Sequence, residues 1–87
     1  MAAPFEARYT RAFLADLEKL EPSVQRRIIR AMETKLLPDP FGHGRKLVGK
    51  PGPGQWRFRV GDYRIRFDIE GRVLLFYRVR HRREIYE

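Results

Sequence analysis

From residue 55 to residue 70, apolar and charged side chains alternate one for one, the mark of a half-buried strand rather than a helix. Trp56, Phe58 and Val60 stand on one side, with Arg57 and Arg59 on the other. Tyr63, Ile65, Phe67 and Ile69 repeat the alternation against Arg64, Arg66 and Asp68. Between the two runs, Gly61-Asp62 reads as the two-residue loop of a tight hairpin. A loop of that length sets the register. It pairs Val60 with Tyr63, Phe58 with Ile65 and Trp56 with Phe67, so the apolar residues share one face. The other face then receives Arg59 opposite Arg64 and Arg57 opposite Arg66.

The remaining pattern predicts what covers the apolar face. Phe5 to Tyr9 is a short strand, with Phe5, Ala7 and Tyr9 on one side. Thr10 is the expected N-cap of a first helix whose stripe is Phe13, Leu14, Leu17 and Leu20. Glu21-Pro22-Ser23 interrupts it, and Pro22 suits the first turn of a second helix. Val24, Ile28, Ala31, Met32 and Leu36 make that helix's apolar face, and Pro38 and Pro40 end it. Arg26, Arg27 and Arg30 fall off the stripe and read as a solvated face. Residues 39–54 read as a Gly- and Pro-rich loop, of a length that often carries function in compact domains.

After a Glu70-Gly71 turn, a last strand runs from Arg72 or Val73 to about Arg80. Its alternation is ambiguous. The favoured register turns Val73, Leu75, Tyr77 and Val79 inward, which sends Arg78, Arg80 and Arg82 to the arginine face together with Leu74 and Phe76. The element order is β-α-α-β-β-β. It predicts a single α+β domain over residues 1–87, with a two-helix hairpin packed on one face of a small, mostly antiparallel sheet.

Charge turns this fold into a surface with a preference. The 87 residues carry 19 Lys or Arg against 11 Asp or Glu, a net +8, while 43% hydrophobic content is too high for a disordered basic tail. The excess is +1 over residues 1–44 and +7 over residues 45–87. Fifteen of the 19 cations are Arg, whose planar fork suits phosphate. An Arg-rich half points to a polyanion, nucleic acid first, with an acidic protein partner as the alternative. Directly opposed like charges destabilise a strand pair. Two such pairs side by side, Arg57 with Arg66 and Arg59 with Arg64, therefore indicate a shared anion site. The absence of Cys excludes disulfide staples and thiolate zinc sites and fits a reducing cytosol, so a cytoplasmic location is expected. Two His and no Cys supply no ligand cluster, and neither metal nor cofactor is expected. No apolar stretch approaches a membrane span, and Met1-Ala2-Ala3-Pro4 lacks the basic-then-apolar order of a secretory signal.

Three segments then carry a likeness to known proteins: Arg45-Lys46-Leu47-Val48-Gly49, Trp56-Arg57-Phe58-Arg59-Val60-Gly61-Asp62-Tyr63-Arg64-Ile65, and His81-Arg82-Arg83-Glu84-Ile85-Tyr86. In this order and spacing, and with the same succession of elements, the chain resembles the RelE/ParE superfamily of toxins from type II toxin-antitoxin pairs. The resemblance covers nearly the whole chain. It implies one of two activities, because RelE-like members cut messenger RNA, typically in the ribosomal A site, whereas ParE-like members poison DNA gyrase and lack the nuclease residues. Arg57 and Arg59 match the alternate basic positions that RelE-like nucleases carry on the strand before the turn. Arg64 matches the family's Arg after the Tyr of the next strand, and Arg82 and Tyr86 match its late Arg and C-terminal Tyr. The match implies a metal-independent endoribonuclease, an mRNA interferase, with those five residues catalytic. It also implies a cognate antitoxin and, as substrate, mRNA on the 70S ribosome. The alternatives are a gyrase-inhibiting toxin and a non-catalytic RNA-binding module.

The implied chemistry is attack of the RNA's own 2′-hydroxyl on the adjacent phosphorus, with the 5′-oxygen leaving. It needs charge stabilisation on a phosphorane-like transition state, proton removal and proton donation. Arg57, Arg59, Arg64 and Arg82 suit the first requirement. In the best-known nuclease members the alternate strand positions are Lys, one of which is thought to assist proton removal. Arginine as a side-chain type stays protonated and is a poor base, so only the charge-stabilising role carries over. Tyr86 suits stacking on a base or proton removal beside several cations, or else it is a packed aromatic. His81 and Glu84 are the other proton-transfer candidates. An imidazole changes charge near neutral pH, while Glu84 has the alternative of an ion pair with Arg82 or Arg83. Arg45, Lys46, Lys50, Arg66, Arg80 and Arg83 are expected to contact the RNA backbone. Trp56 reads as core, and His43 stands in the loop without an evident partner.

Overall fold

The hairpin forms in the register that its two-residue loop dictates. The computed structural model of the chain describes residues 5–49 and 52–85. Within it, β3 (Trp56–Val60) and β4 (Tyr63–Glu70) pair antiparallel, with Trp56 opposite Phe67, Phe58 opposite Ile65 and Val60 opposite Tyr63. Gly61 opens the turn at φ 58°, a left-handed value that strains any other residue. A Cβ at that position would also run into the Arg27 guanidinium. On the other side of β4, β5 (Val73–His81) pairs antiparallel, and β1 (Glu6–Tyr9) then pairs parallel with β5. A two-residue β2 (Arg45–Lys46) lies against β3, completing the order β1-β5-β4-β3-β2.

The helices form where caps and periodicity place them. The Thr10 hydroxyl oxygen accepts the Phe13 N–H at 3.0 Å and opens α1 (Arg11–Glu18). Pro22 starts α2 (Pro22–Ala31), which runs on into a π-helical turn over Met32–Leu36. Phe13, Ile28, Met32 and Leu36 are fully buried against Phe58, Ile65, Phe67, Leu74, Phe76 and Val79 of the sheet. Leu14, expected on the α1 stripe, is instead 48% exposed. The rings of Tyr9, Phe13, Phe76, Phe67, Trp56, Phe41 and Phe5 follow one another across this layer at centroid distances of 5.4 to 6.2 Å. Each such pair adds about 0.5–1.5 kcal/mol beyond the area it buries.

Two expectations are corrected. In β5 it is Leu74 and Phe76 that are buried, while Val73, Leu75 and Tyr77 face the other way. The ladder slips by one residue: Arg66 faces Arg78 and Phe67 faces Phe76, leaving Tyr77 as the extra residue of a β-bulge. The bulge lets Leu74, Phe76 and Val79 all point inward, which no unbroken alternation allows. The outward assignment of Arg78 and Arg80 holds, because they lie beyond the slip. The segment 39–54 is also more than a loop. Asp39 caps a short α3 (Pro40–His43) by accepting the Gly42 N–H at 3.0 Å, and β2 follows at once. The chain closes with α4 (Arg82–Ile85). Among the described residues no helix is long and apolar enough to cross a membrane.

Candidate active site

On the sheet face opposite the helices, the pairing lines arginines up across the strands. Arg45, Arg57, Arg66 and Arg78 form one row over β2, β3, β4 and β5. Arg59, Arg64 and Arg80 form the next row over β3, β4 and β5. Neighbouring strands lie about 4.8 Å apart, so the longer row spans about 14 Å. Several of these side chains are held in place. The fork of Arg78 grips Asp16 from α1, with Nε 2.8 Å from Oδ2 and Nη2 3.0 Å from Oδ1. Arg66 donates through Nε to the Gly54 carbonyl at 2.6 Å. Arg57, Arg59 and Arg80 make no ion pair among the described residues. Arg57, Arg59 and Arg80, cations with no ion pair of their own among the described residues, make a standing site for phosphate.

Asp16 ties this face to α1. Its carboxylate also accepts the Val79 N–H at 3.1 Å, on the stretch of β5 that runs past the end of β1. Partial burial pushes its carboxyl up. The hydrogen bonds from Arg78 and Val79 and the charges of Arg78 and Arg80 outweigh that and hold it below the usual carboxylate range. The hydrogen bond to Asp16 correspondingly raises Arg78. At the other end of β4, Asp68 accepts the Gly54 N–H at 3.0 Å and the Gln55 N–H at 2.7 Å, pinning the end of the Gly/Pro segment to the sheet.

His43, which looked isolated in the sequence, joins the arginines. A polar cleft of about 290 Å³ is lined by His43, Arg45, Arg57 and Arg59. The Nδ1 of His43 lies 3.3 Å from the Asp39 carbonyl oxygen and 4.0 Å from Asp39 Oδ2. A carbonyl only accepts, so in that contact Nδ1 is the donor, and the neutral tautomer that makes it presents Nε2 as the accepting nitrogen. The sequence held a signal for this. Asp39-Pro40 is an N-cap followed by proline at the first helical position, and His43 sits one helical turn beyond the cap.

The other predicted residues separate. Arg80, expected only to touch RNA backbone, completes the row with Arg59 and Arg64. Arg82 lies past the end of β5, where its N–H meets the Asp62 carbonyl at 2.7 Å and its Nη1 stands 3.8 Å from Asp62 Oδ1. His81 and Glu84 cap α4 reciprocally: the His81 N–H donates to Glu84 Oε1 at 3.0 Å, and the Arg83 N–H donates to His81 Nδ1 at 3.2 Å. The His81 ring stands edge-on to Tyr63 at 5.2 Å, in line with the apolar positions of the ladder. Lys46 pairs with Trp56 and so points away from the arginine rows, unlike Arg45. Trp56 is half-buried against Phe41 and Phe67, and Arg83 is exposed. Lys50 and Tyr86 lie outside the described residues. Among the described residues no three His, Cys, Asp or Glu side chains gather as a metal site.

A five-stranded sheet carries a helical hairpin on one face and two arginine rows on the other, and comparison with known proteins places such a chain among small toxins. Residues 7–86 match the family described as ParE toxin of type II toxin-antitoxin system, parDE. Toxin RelE3 of Methanocaldococcus jannaschii is 30% identical over 83 residues, covering 91% of this chain and 92% of its own length. The RelBE2 toxin-antitoxin complex of Mycobacterium tuberculosis contains a chain with a TM-score of 0.81 and 26% identity, over 90% of this chain and 98% of that one. A RelB-RelE antitoxin-toxin complex from Methanococcus jannaschii gives 0.67 and 27%, over 90% and 93%. The chain belongs to the RelE/ParE superfamily of type II toxins.

Proposed function

We propose that this toxin is an endoribonuclease that cleaves messenger RNA on the ribosome, and that a cognate antitoxin covers its arginine face until release. The observation that carries the reading is the pair of arginine rows on β2 to β5, seven cations aligned across strands against their mutual repulsion. The solved relatives named above were captured with RelB antitoxins, which supports the partner. An antitoxin that masks this face would do so with carboxylates, the ligand that guanidinium forks bind next best to phosphate.

In this mechanism the RNA phosphate sits over Arg59, Arg64 and Arg80, with Arg57 beside them. His43 Nε2 removes the proton from the 2′-hydroxyl, and its Nδ1–H stays on the Asp39 carbonyl. The O2′–P bond forms as the P–O5′ bond breaks, leaving a 2′,3′-cyclic phosphate. The departing O5′ takes its proton from solvent or from Tyr86. The guanidiniums stabilise the charge that builds on the equatorial oxygens, a contribution typically worth ~10²–10³ in rate for each well-placed donor. General-base removal adds about 10²–10⁴. Few acid-base groups accompany the cations, which supports dependence on the ribosome to position the message.

The test is incubation of the purified chain with programmed ribosomes, mapping 5′ ends on the message. The reading expects cuts within the A-site codon. An intact message, with inhibition of gyrase supercoiling in a parallel assay, would instead establish the gyrase-inhibiting alternative.

A further inference from the structure

The β-bulge in β5 does more than repair the core. It turns Tyr77 out of the apolar layer and sets it beside Arg78 on the arginine face. Bulges recur beside functional sites because they re-aim a side chain in this way. Around the tyrosine lies a cleft of about 370 Å³, lined by Thr10, Ala12, Pro53, Arg66, Tyr77 and Arg78. It differs from the polar cleft at His43. Its lining, Thr10 apart, is a tyrosine, a proline, an alanine and two arginines, and it lies at the β4–β5 end of the longer row.

The wall groups are fixed rather than floppy. Arg66 is held by the Gly54 carbonyl at 2.6 Å and Arg78 by the bidentate contact to Asp16. Gly54 itself takes φ 78°, and the end of its segment is anchored by Asp68. The Tyr77 hydroxyl is directed to Asp68, and burial together with the Asp68 and Glu70 carboxylates raises its pKa, so it stays a neutral ring at physiological pH. An aromatic ring flanked by two anchored arginines, at the end of a row of phosphate-binding cations, suits the flat face of an unpaired nucleobase. From β3, where the candidate catalytic arginines begin, to β5 is about 10 Å. That is within reach of a nucleotide adjoining the one being cut.

We infer that this cleft binds an unpaired base of single-stranded RNA by stacking on Tyr77 between Arg66 and Arg78, and so sets which nucleotide lies over the arginine rows. The inference rests on the RNA reading of the arginine face. Its test separates base from phosphate. A six-nucleotide oligouridylate with a non-cleavable 2′-deoxy residue is titrated onto the purified chain, alongside the same oligomer with one abasic nucleotide walked through it. At one position the abasic substitution weakens wild-type binding about tenfold, and Tyr77→Ala weakens binding of the intact oligomer by the same factor. The two losses do not add, because each removes the same stack. Tyr77→Phe keeps the ring and binds like wild type. Additive losses, or an unaffected Tyr77→Ala that still folds by circular dichroism, would overturn the cleft while leaving the phosphate reading intact. Binding of the oligomer that survives Arg59→Ala unchanged would overturn the phosphate reading. Failure of the wild-type chain to bind any of the oligomers would overturn both.

Discussion

One pleated sheet presents two rows of opposite character within a single residue of each other. On the inner face Trp56, Phe67 and Phe76 line up across β3, β4 and β5, and helices cover them. On the outer face Arg57, Arg66 and Arg78 line up across the same strands, and α1 meets only the β5 end of that row, through Asp16 on Arg78. The inner row is what a stable small domain requires. The outer row is what such a domain avoids, since cross-strand like charges oppose pairing. The local rules of the fold are broken on one face only, and that asymmetry marks where function lies.

The contrast yields tests that run from large effects to small. Phe67→Ala on the inner face should cost about 3–5 kcal/mol, enough to unfold much of so small a domain, as read from urea denaturation. A loss below 1 kcal/mol would mean the aromatic layer is not the core. On the outer face, His43→Ala should slow A-site cleavage about 10³-fold with an unchanged urea midpoint. An unaltered cleavage rate in His43→Ala would remove His43 from the mechanism. Arg59→Ala should lower cleavage about 10²-fold, again without loss of stability.

Asp16 connects the two faces, and its removal falls between these extremes. Asp16→Ala leaves Arg78 and the Val79 N–H without their acceptor and should cost about 2 kcal/mol near pH 7. The sign of its pH dependence is set by the lowered carboxyl. Its folded-state pKa lies below the unfolded one, so the ionised group stabilises the fold above the usual carboxylate range. That stabilisation disappears as pH falls through the folded value. The gap in urea midpoint between wild type and Asp16→Ala should therefore narrow as pH drops from 7 towards 3. A constant gap would show that packing, not charge, is what Asp16 supplies.

Much of this was legible in the sequence because local rules acted alone there. The Gly61-Asp62 loop fixed the β3–β4 ladder, Thr10 and Pro22 placed both helix starts, and the opposed arginines could be named before any coordinate. Residues 73–79 defeated the same reasoning. Val73, Leu74, Leu75, Phe76 and Tyr77 form an unbroken apolar run, so either face satisfied alternation, and only the burial of Leu74 and Phe76 in the core decides the register and forces the bulge. His43 was missed for a different reason. Its relation to Asp39 is local, but Arg57 and Arg59 reach it only after β2 folds onto β3. His81 and Glu84 carried the right chemistry in sequence, yet their spacing is also that of a helix cap, and that is where the fold uses them.

The claim that the arginine rows are kept for an anion, against the interest of the sheet, is tested most directly by the urea midpoint of Arg57→Thr/Arg59→Thr with and without single-stranded RNA. Threonine suits a strand and carries no charge. Without RNA at low salt, the variant should be the more stable protein by up to about 1 kcal/mol, and added salt should close the gap. RNA should raise the midpoint of the wild type by more than that of the variant. A variant less stable than wild type without RNA, or an equal RNA shift in both, would contradict the account.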